Sequence, residues 1–189
     1  IRRDWVQGVM TIDTDRTQAA LGQIGGKVLQ TGDVRFEVDN AEATVVVSSL
    51  DNRQIGSSGE MLLTVISDVQ TTTGDMLPYL SRPVLGTLTL SSTVPGMCLV
   101  PLAGDGTELA PISLECSAGD YDLELPPDQG THWFILRAGD LNADGVTDAE
   151  DVDALAAEVA SGGDDPAYDL TGDGAVDPLD LTAMIEQVF

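Results

Sequence analysis

Across 189 residues the chain sets 32 acidic side chains against 8 basic ones, a formal net charge of −24 with its single histidine neutral. So few cations form no basic patch able to displace counterions, which excludes nucleic acid and an anionic membrane surface as partners. No apolar run approaches the length of a bilayer span, so membrane insertion is excluded as well.

The first 138 residues suffice to bury a core of their own, and their apolar pattern is that of short strands. Trp5, Val9, Met10 and Ile12 make the opening segment apolar. It reads as the first strand of its own sheet, or as a strand added to the open edge of a neighbour's. Val34, Phe36 and Val38 alternate with Arg35 and Glu37, the pattern of a half-buried strand. Residues 44–50 and 61–67 are β-branched and apolar runs bounded by Asp-Asn and Ser-Ser-Gly turns. Residues 69–84 read as a long loop, in which Tyr79 is the candidate platform for a carbohydrate. Alternation returns in residues 85–91, 121–125 and 132–136, and His132 in that last apolar run reads as structural. About ten strands, with no long helix before Asp151, predict an antiparallel β-sandwich or jelly roll.

The two cysteines, Cys98 and Cys116, fall in strand-like runs at 97–101 and 112–116. Antiparallel pairing of those runs would bring them within bridging distance, and an extracellular setting is oxidising, so a disulfide is expected. No Gly-x-Ser-x-Gly elbow, phosphate-cradling glycine loop or His-Glu-x-x-His helix occurs, so no catalytic residue is named. Two carboxylates across a cleft stay open as a glycosidase chemistry, with no pair singled out among so many acids.

From Gly139 onward the chain changes character: 14 of the 32 acids and none of the 8 bases lie there, leaving 18 acids against 8 bases in residues 1–138. Residues 140–151 read DLNADGVTDAED and residues 169–180 read DLTGDGAVDPLD. Oxygen-bearing side chains recur at loop positions 1, 3, 5, 9 and 12, with Gly at position 6 for the sharp turn. That spacing gathers six or seven oxygens around one Ca2+ from a single short segment, and position 7 contributes only a carbonyl. The first loop predicts Asp140, Asn142, Asp144, the Val146 carbonyl, Asp148 and Asp151 as ligands. The second predicts Asp169, Thr171, Asp173, the Ala175 carbonyl, Asp177 and Asp180, giving two ions in all. Thr171 brings a hydroxyl where Asn142 brings an amide carbonyl, so the second loop is expected to bind more weakly. After each loop an apolar stripe predicts a helix: Val152, Leu155, Ala156 and Val159, then Leu181, Met184, Ile185 and Val188.

These repeats resemble a dockerin, since each loop ends in Asp where intracellular calcium sensors carry Glu and leads into a helix with no clear helix before it. The resemblance covers roughly the last fifty residues. It implies an extracellular protein docked onto a cohesin partner, with loop positions 10 and 11 touching that partner. Those positions are Ala149 and Glu150, and Pro178 and Leu179; the family often carries a Ser/Thr pair there. The body is similar to the C-terminal β-sandwich of some secreted bacterial glycoside hydrolases. Trp5 and Gly8, residues 12–18 (IDTDRTQ) and residues 47–51 (VSSLD) carry that likeness, with Asp15 where those proteins tend to have Pro. There a catalytic barrel precedes the sandwich, and nothing in these residues is such a barrel.

The expected organisation is therefore a β-sandwich accessory domain at 1–138 and a calcium-binding module at 139–189. The expected role is non-catalytic docking and assembly within a secreted or cell-surface bacterial carbohydrate-active protein. Two alternatives are a self-assembling filament or surface-layer subunit and a stand-alone carbohydrate-binding module. Arg2 and Arg3 at one end and the acidic module at the other favour head-to-tail contact between copies, with Trp5 a candidate contact. The chain starts at Ile1 without an initiator Met or signal-like segment, so removal of something upstream is expected.

Overall fold

A computed structural model describes residues 1–73, 76–94, 96–114, 116–117, 119–125, 131–142, 147–163, 168–171 and 175–188. The protein is mainly β, with two antiparallel sheets facing each other across one core and two helices at the C-terminal end. The larger sheet runs in the order β1 (Arg2–Asp4), β2 (Val9–Thr14), β3 (Thr17–Gly22), β6 (Ala43–Ser49), β7 (Glu60–Ile66), β15 (Trp133–Arg137), β11 (Cys98–Pro101) and β12 (Ile112–Ser113). The smaller runs β13 (Cys116–Ser117), β14 (Asp120–Leu125), β10 (Gly86–Ser91), β5 (Val34–Val38) and β4 (Lys27–Gln30). β8 (Val69–Thr73) and β9 (Met76–Ser81) form a separate hairpin.

The alternating strands drive this arrangement because successive side chains point to opposite faces of a sheet. In the smaller sheet Leu88 pairs with Phe36 on one side and Leu123 on the other, and Leu90 pairs with Val34 and Tyr121. All six are buried, while Arg35, Glu37, Thr89 and Asp122 face outward. The larger sheet answers with Val45, Val47, Met61, Leu63, Val65, Phe134 and Leu136, all in the same core. The Tyr121 hydroxyl, the polar end of a fully buried ring, donates to the Val94 carbonyl at 2.9 Å. His132 is structural, its Nδ1 lying 2.9 Å from the Val65 carbonyl.

Several expectations change. Residues 69–84 hold the β8–β9 hairpin rather than an irregular loop, and Tyr79 sits in β9 opposite Thr71. The opening segment is a hairpin: a turn at residues 5–8 joins β1 to β2, so Trp5 stands at the turn and not in a strand. Trp5 is 82 % exposed, with the Arg3 guanidinium 5.6 Å from its ring centroid.

The expected Cys98–Cys116 disulfide is not formed; both thiols are free. β11 pairs with β12 through Ile112 and Ser113, Leu114 N–H adds a bond to the Met97 carbonyl at 3.1 Å, and Cys116 then pairs with Tyr121 in the other sheet. Leu99 takes the core side of β11, so Cys98 lies on the outer face of the larger sheet with Val100 and Ile135. The two sulfurs thus belong to different sheets and different faces. Burial first, and the nearby Asp140 carboxylate second, push the Cys98 thiol up to about 11.

The β6–β7 connection is organised by Asp51. Its carboxylate accepts from Ser49 and Ser58 hydroxyls at 2.8 Å, from Arg53 N–H at 3.0 Å and from Gly59 N–H at 2.8 Å. Burial alone would raise this carboxyl; the hydrogen bonds outweigh it and hold it below its ordinary value. A depressed carboxyl contributes stability above its unfolded value, near pH 4, that is lost as pH falls through the folded value. Asp51→Ala should destabilise the fold by about 1–3 kcal/mol, the cost of leaving the Ser58 hydroxyl and the Gly59 N–H without this partner. It should also flatten the acid limb of a stability–pH profile from chemical denaturation. An unchanged midpoint would refute this. In thiol labelling, the denatured, unreduced protein should give two reactive cysteines and the native protein only Cys116; no label under denaturation would restore the disulfide.

Candidate metal centre

β15 delivers the chain straight into the first acidic loop, with only Ala138 and Gly139 between Arg137 and Asp140. Asp140 donates its backbone N–H to the Gly96 carbonyl at 2.8 Å and is 5 % exposed. The loop closes on Asp151, fully buried in the first turn of α1 (Ala149–Ser161). Asp151 Oδ1 accepts from the N–H groups of Leu141 (2.8 Å) and Asn142 (3.0 Å), and Oδ2 from Asp148 N–H (2.8 Å). Asp148 caps α1, its carboxylate accepting from Glu150 N–H at 2.8 Å, so Asp148 and Asp151 form a reciprocal capping box. Gly162 at φ 69° ends the helix in the left-handed conformation.

The second loop repeats this wiring at the same spacing. Asp180, fully buried in the first turn of α2 (Pro178–Val188), accepts Thr171 N–H on Oδ1 at 2.9 Å and Asp177 N–H on Oδ2 at 2.8 Å. Asp177 in turn accepts Leu179 N–H at 2.7 Å, and the Thr171 hydroxyl donates to Asp169 at 3.4 Å. Burial would raise the Asp180 carboxyl, but the N–H groups of Asp177 and Thr171 outweigh it and hold it low. In both halves the carboxylate at position 12 ties positions 3 and 9 together, closing the loop on itself. The two helices pack against each other, and Leu155 of α1 and Met184 of α2 are fully buried; Ile185, expected on the apolar face, is instead 43 % exposed.

The donor set suits a hard divalent cation. Asp151 and Asp180 are carboxylates withdrawn from water in a segment that has no Lys or Arg to neutralise them. A carboxylate offers about four acceptor sites, so the N–H bonds leave capacity for an ion. Asp144, Val146 and Asp173 lie outside the described residues, and among the described residues no group of three His, Cys, Asp or Glu side chains converges for a metal. Ala175 is exposed at position 7 of the second loop. Ala149, Glu150, Pro178 and Leu179 are all exposed at the helix starts, Leu179 to 60 %. Sequence reasoning missed Gly59 and Gly96, whose carbonyls receive the chain as it enters the loop; the Pro-Gly pair at 95–96 was the available signal.

Fold and loop geometry together define an antiparallel sandwich carrying a duplicated loop–helix calcium-binding module. Residues 138–189 match the family model described as the dockerin type I domain, and the chain carries that domain at its C-terminal end. Dockerin type I domains are non-catalytic, bind calcium and dock onto cohesin proteins. No curated protein and no solved structure matches the chain.

Two Ca2+ ions per chain are expected in calorimetric titration of the chelated protein. Asp151→Asn and Asp180→Asn should each lower affinity at their own loop by at least about tenfold and leave the other loop measurable. A stoichiometry that stays at two with both affinities unchanged would remove these residues from the sites.

Proposed function

We propose that the chain is the non-catalytic accessory and docking portion of a secreted bacterial carbohydrate-active protein, attached to a cohesin-bearing partner when calcium is bound. The observation that carries this reading is the dockerin match at residues 138–189, over two loops closed in the same way on Asp151 and Asp180. One Ca2+ per loop, held by Asp140, Asn142, Asp144, the Val146 carbonyl, Asp148 and Asp151, and by their counterparts from Asp169 to Asp180, orders the module. Ala149, Glu150, Pro178 and Leu179 then meet the partner. The glycoside hydrolase context rests on the sequence likeness of the sandwich, and Tyr79 is the candidate sugar contact within it. Self-association is a second reading, supported by the solvent-facing Trp5 and Val6 at the tip of the edge hairpin.

The test is binding of the whole chain to an immobilised panel of type I cohesin modules, with calcium and with chelator. Capture by at least one cohesin, lost on chelation and weakened at least about tenfold by Leu179→Asp, is the expected result. Calcium-independent capture, or none across the panel, would overturn the docking reading.

A further inference from the structure

The two loops repeat one another in sequence and in wiring, yet they stand differently toward the sandwich. At the first loop, Asp140 N–H is held by Gly96 O at 2.8 Å, and Ala138 N–H by Gly59 O at 2.9 Å. The Thr147 hydroxyl, inside the loop, donates to Ala138 O at 3.2 Å. Gly59 is itself fixed through its N–H to Asp51. Gly96 sits at φ 60°, and a Cβ there would meet Leu141 Cδ2 at 3.0 Å and Asp140 O at 3.1 Å, so the loop lies directly on it. The equivalent first residue of the second loop, Asp169, is only half-buried where Asp140 is almost fully so. A cleft of about 420 Å³, lined by Leu170 and Ala183 on one side and Arg53, Val94 and Arg137 on the other, lies between that half and the sandwich.

We propose that Gly96 and Gly59 are positioning residues for the first calcium loop: the sandwich pre-forms that site, which therefore fills first, and its ion stabilises the sandwich as well as the module. This rests on calcium occupying both loops. An ion that binds a half-built site spends part of its binding free energy on ordering the site; the sandwich has already done that ordering for Asp140. The order of affinities then follows from anchorage rather than from Asn142 against Thr171.

Both tryptophans, Trp5 and Trp133, lie outside the module, so their emission reports unfolding of the sandwich alone. Saturating calcium should raise that unfolding midpoint by about 5–10 °C over chelated protein; an unmoved midpoint would overturn the coupling. Titration should resolve two steps, with Asp180→Asn keeping the tighter and Asp151→Asn the weaker. Gly96→Ala should weaken the tighter step about tenfold and spare the other. Thr147→Val, which keeps the side-chain shape and removes the hydroxyl, should act in the same direction to a smaller extent. If both variants leave the tighter step alone, or if Thr171→Asn by itself equalises the two, the loops differ by donor chemistry and the proposal falls. Absence of any calcium binding would instead take down the reading of the loops themselves.

Discussion

The placement of β15 constrains everything that follows it. This strand is interior to the larger sheet, bonded to β7 along one edge and to β11 along the other, so its exit point cannot drift. Arg137, its last residue, is further held by paired hydrogen bonds to Glu108 and lies 3.8 Å from Glu60. The chain turns at Gly139, φ 97°, and the first carboxylate of the module follows at once. A position that the alternating strands of the body define is thereby transmitted to a site whose own residues belong to another repeat pattern.

Electrostatics gives that transmission its direction. The module carries 14 acids and no base, and two of its carboxylates are buried on neutral hydrogen-bond donors among the described contacts. Hydrogen bonds can hold a carboxylate ionised, but they do not cancel the mutual repulsion of so many like charges. Each divalent ion returns two positive charges to a short loop and relieves that repulsion where it is greatest. The body, with its eight bases dispersed among 18 acids, has no such need. Calcium therefore acts on one end of the molecule, and the bonds from Asp140 to Gly96 and from Ala138 to Gly59 join that end to the sandwich.

Legibility followed periodicity. Val34–Val38, Gly86–Ser91 and Asp120–Leu125 alternate cleanly because one face is core and the other water, and all three were readable. Val69–Thr73, with its run of threonines, offers no apolar alternation and so reads as loop, although it pairs with Met76–Ser81. The cysteine reading failed for a long-range reason: Ile112–Ser113 stays in one sheet while Cys116, three residues on, has crossed to the other. The spacing of the acidic loops is legible because every proposed ligand comes from one short segment, and the closure of those loops on Asp151 and Asp180 keeps that spacing. Their supports are not legible, because Gly59 and Gly96 act through backbone carbonyls contributed by distant turns, and a carbonyl leaves no trace in side-chain chemistry.

The two-residue join between strand and module has an evolutionary corollary. Docking modules on long, loose tethers can be cut out and spliced behind any carrier, because nothing in the carrier recognises them. Here the splice would leave the N–H groups of Ala138 and Asp140 facing a carrier with no carbonyl in register, and Leu141 without the bare glycine it rests on. Moving the acidic tail alone would break these contacts, so an engineered transfer should carry the sandwich and the tail as one cassette.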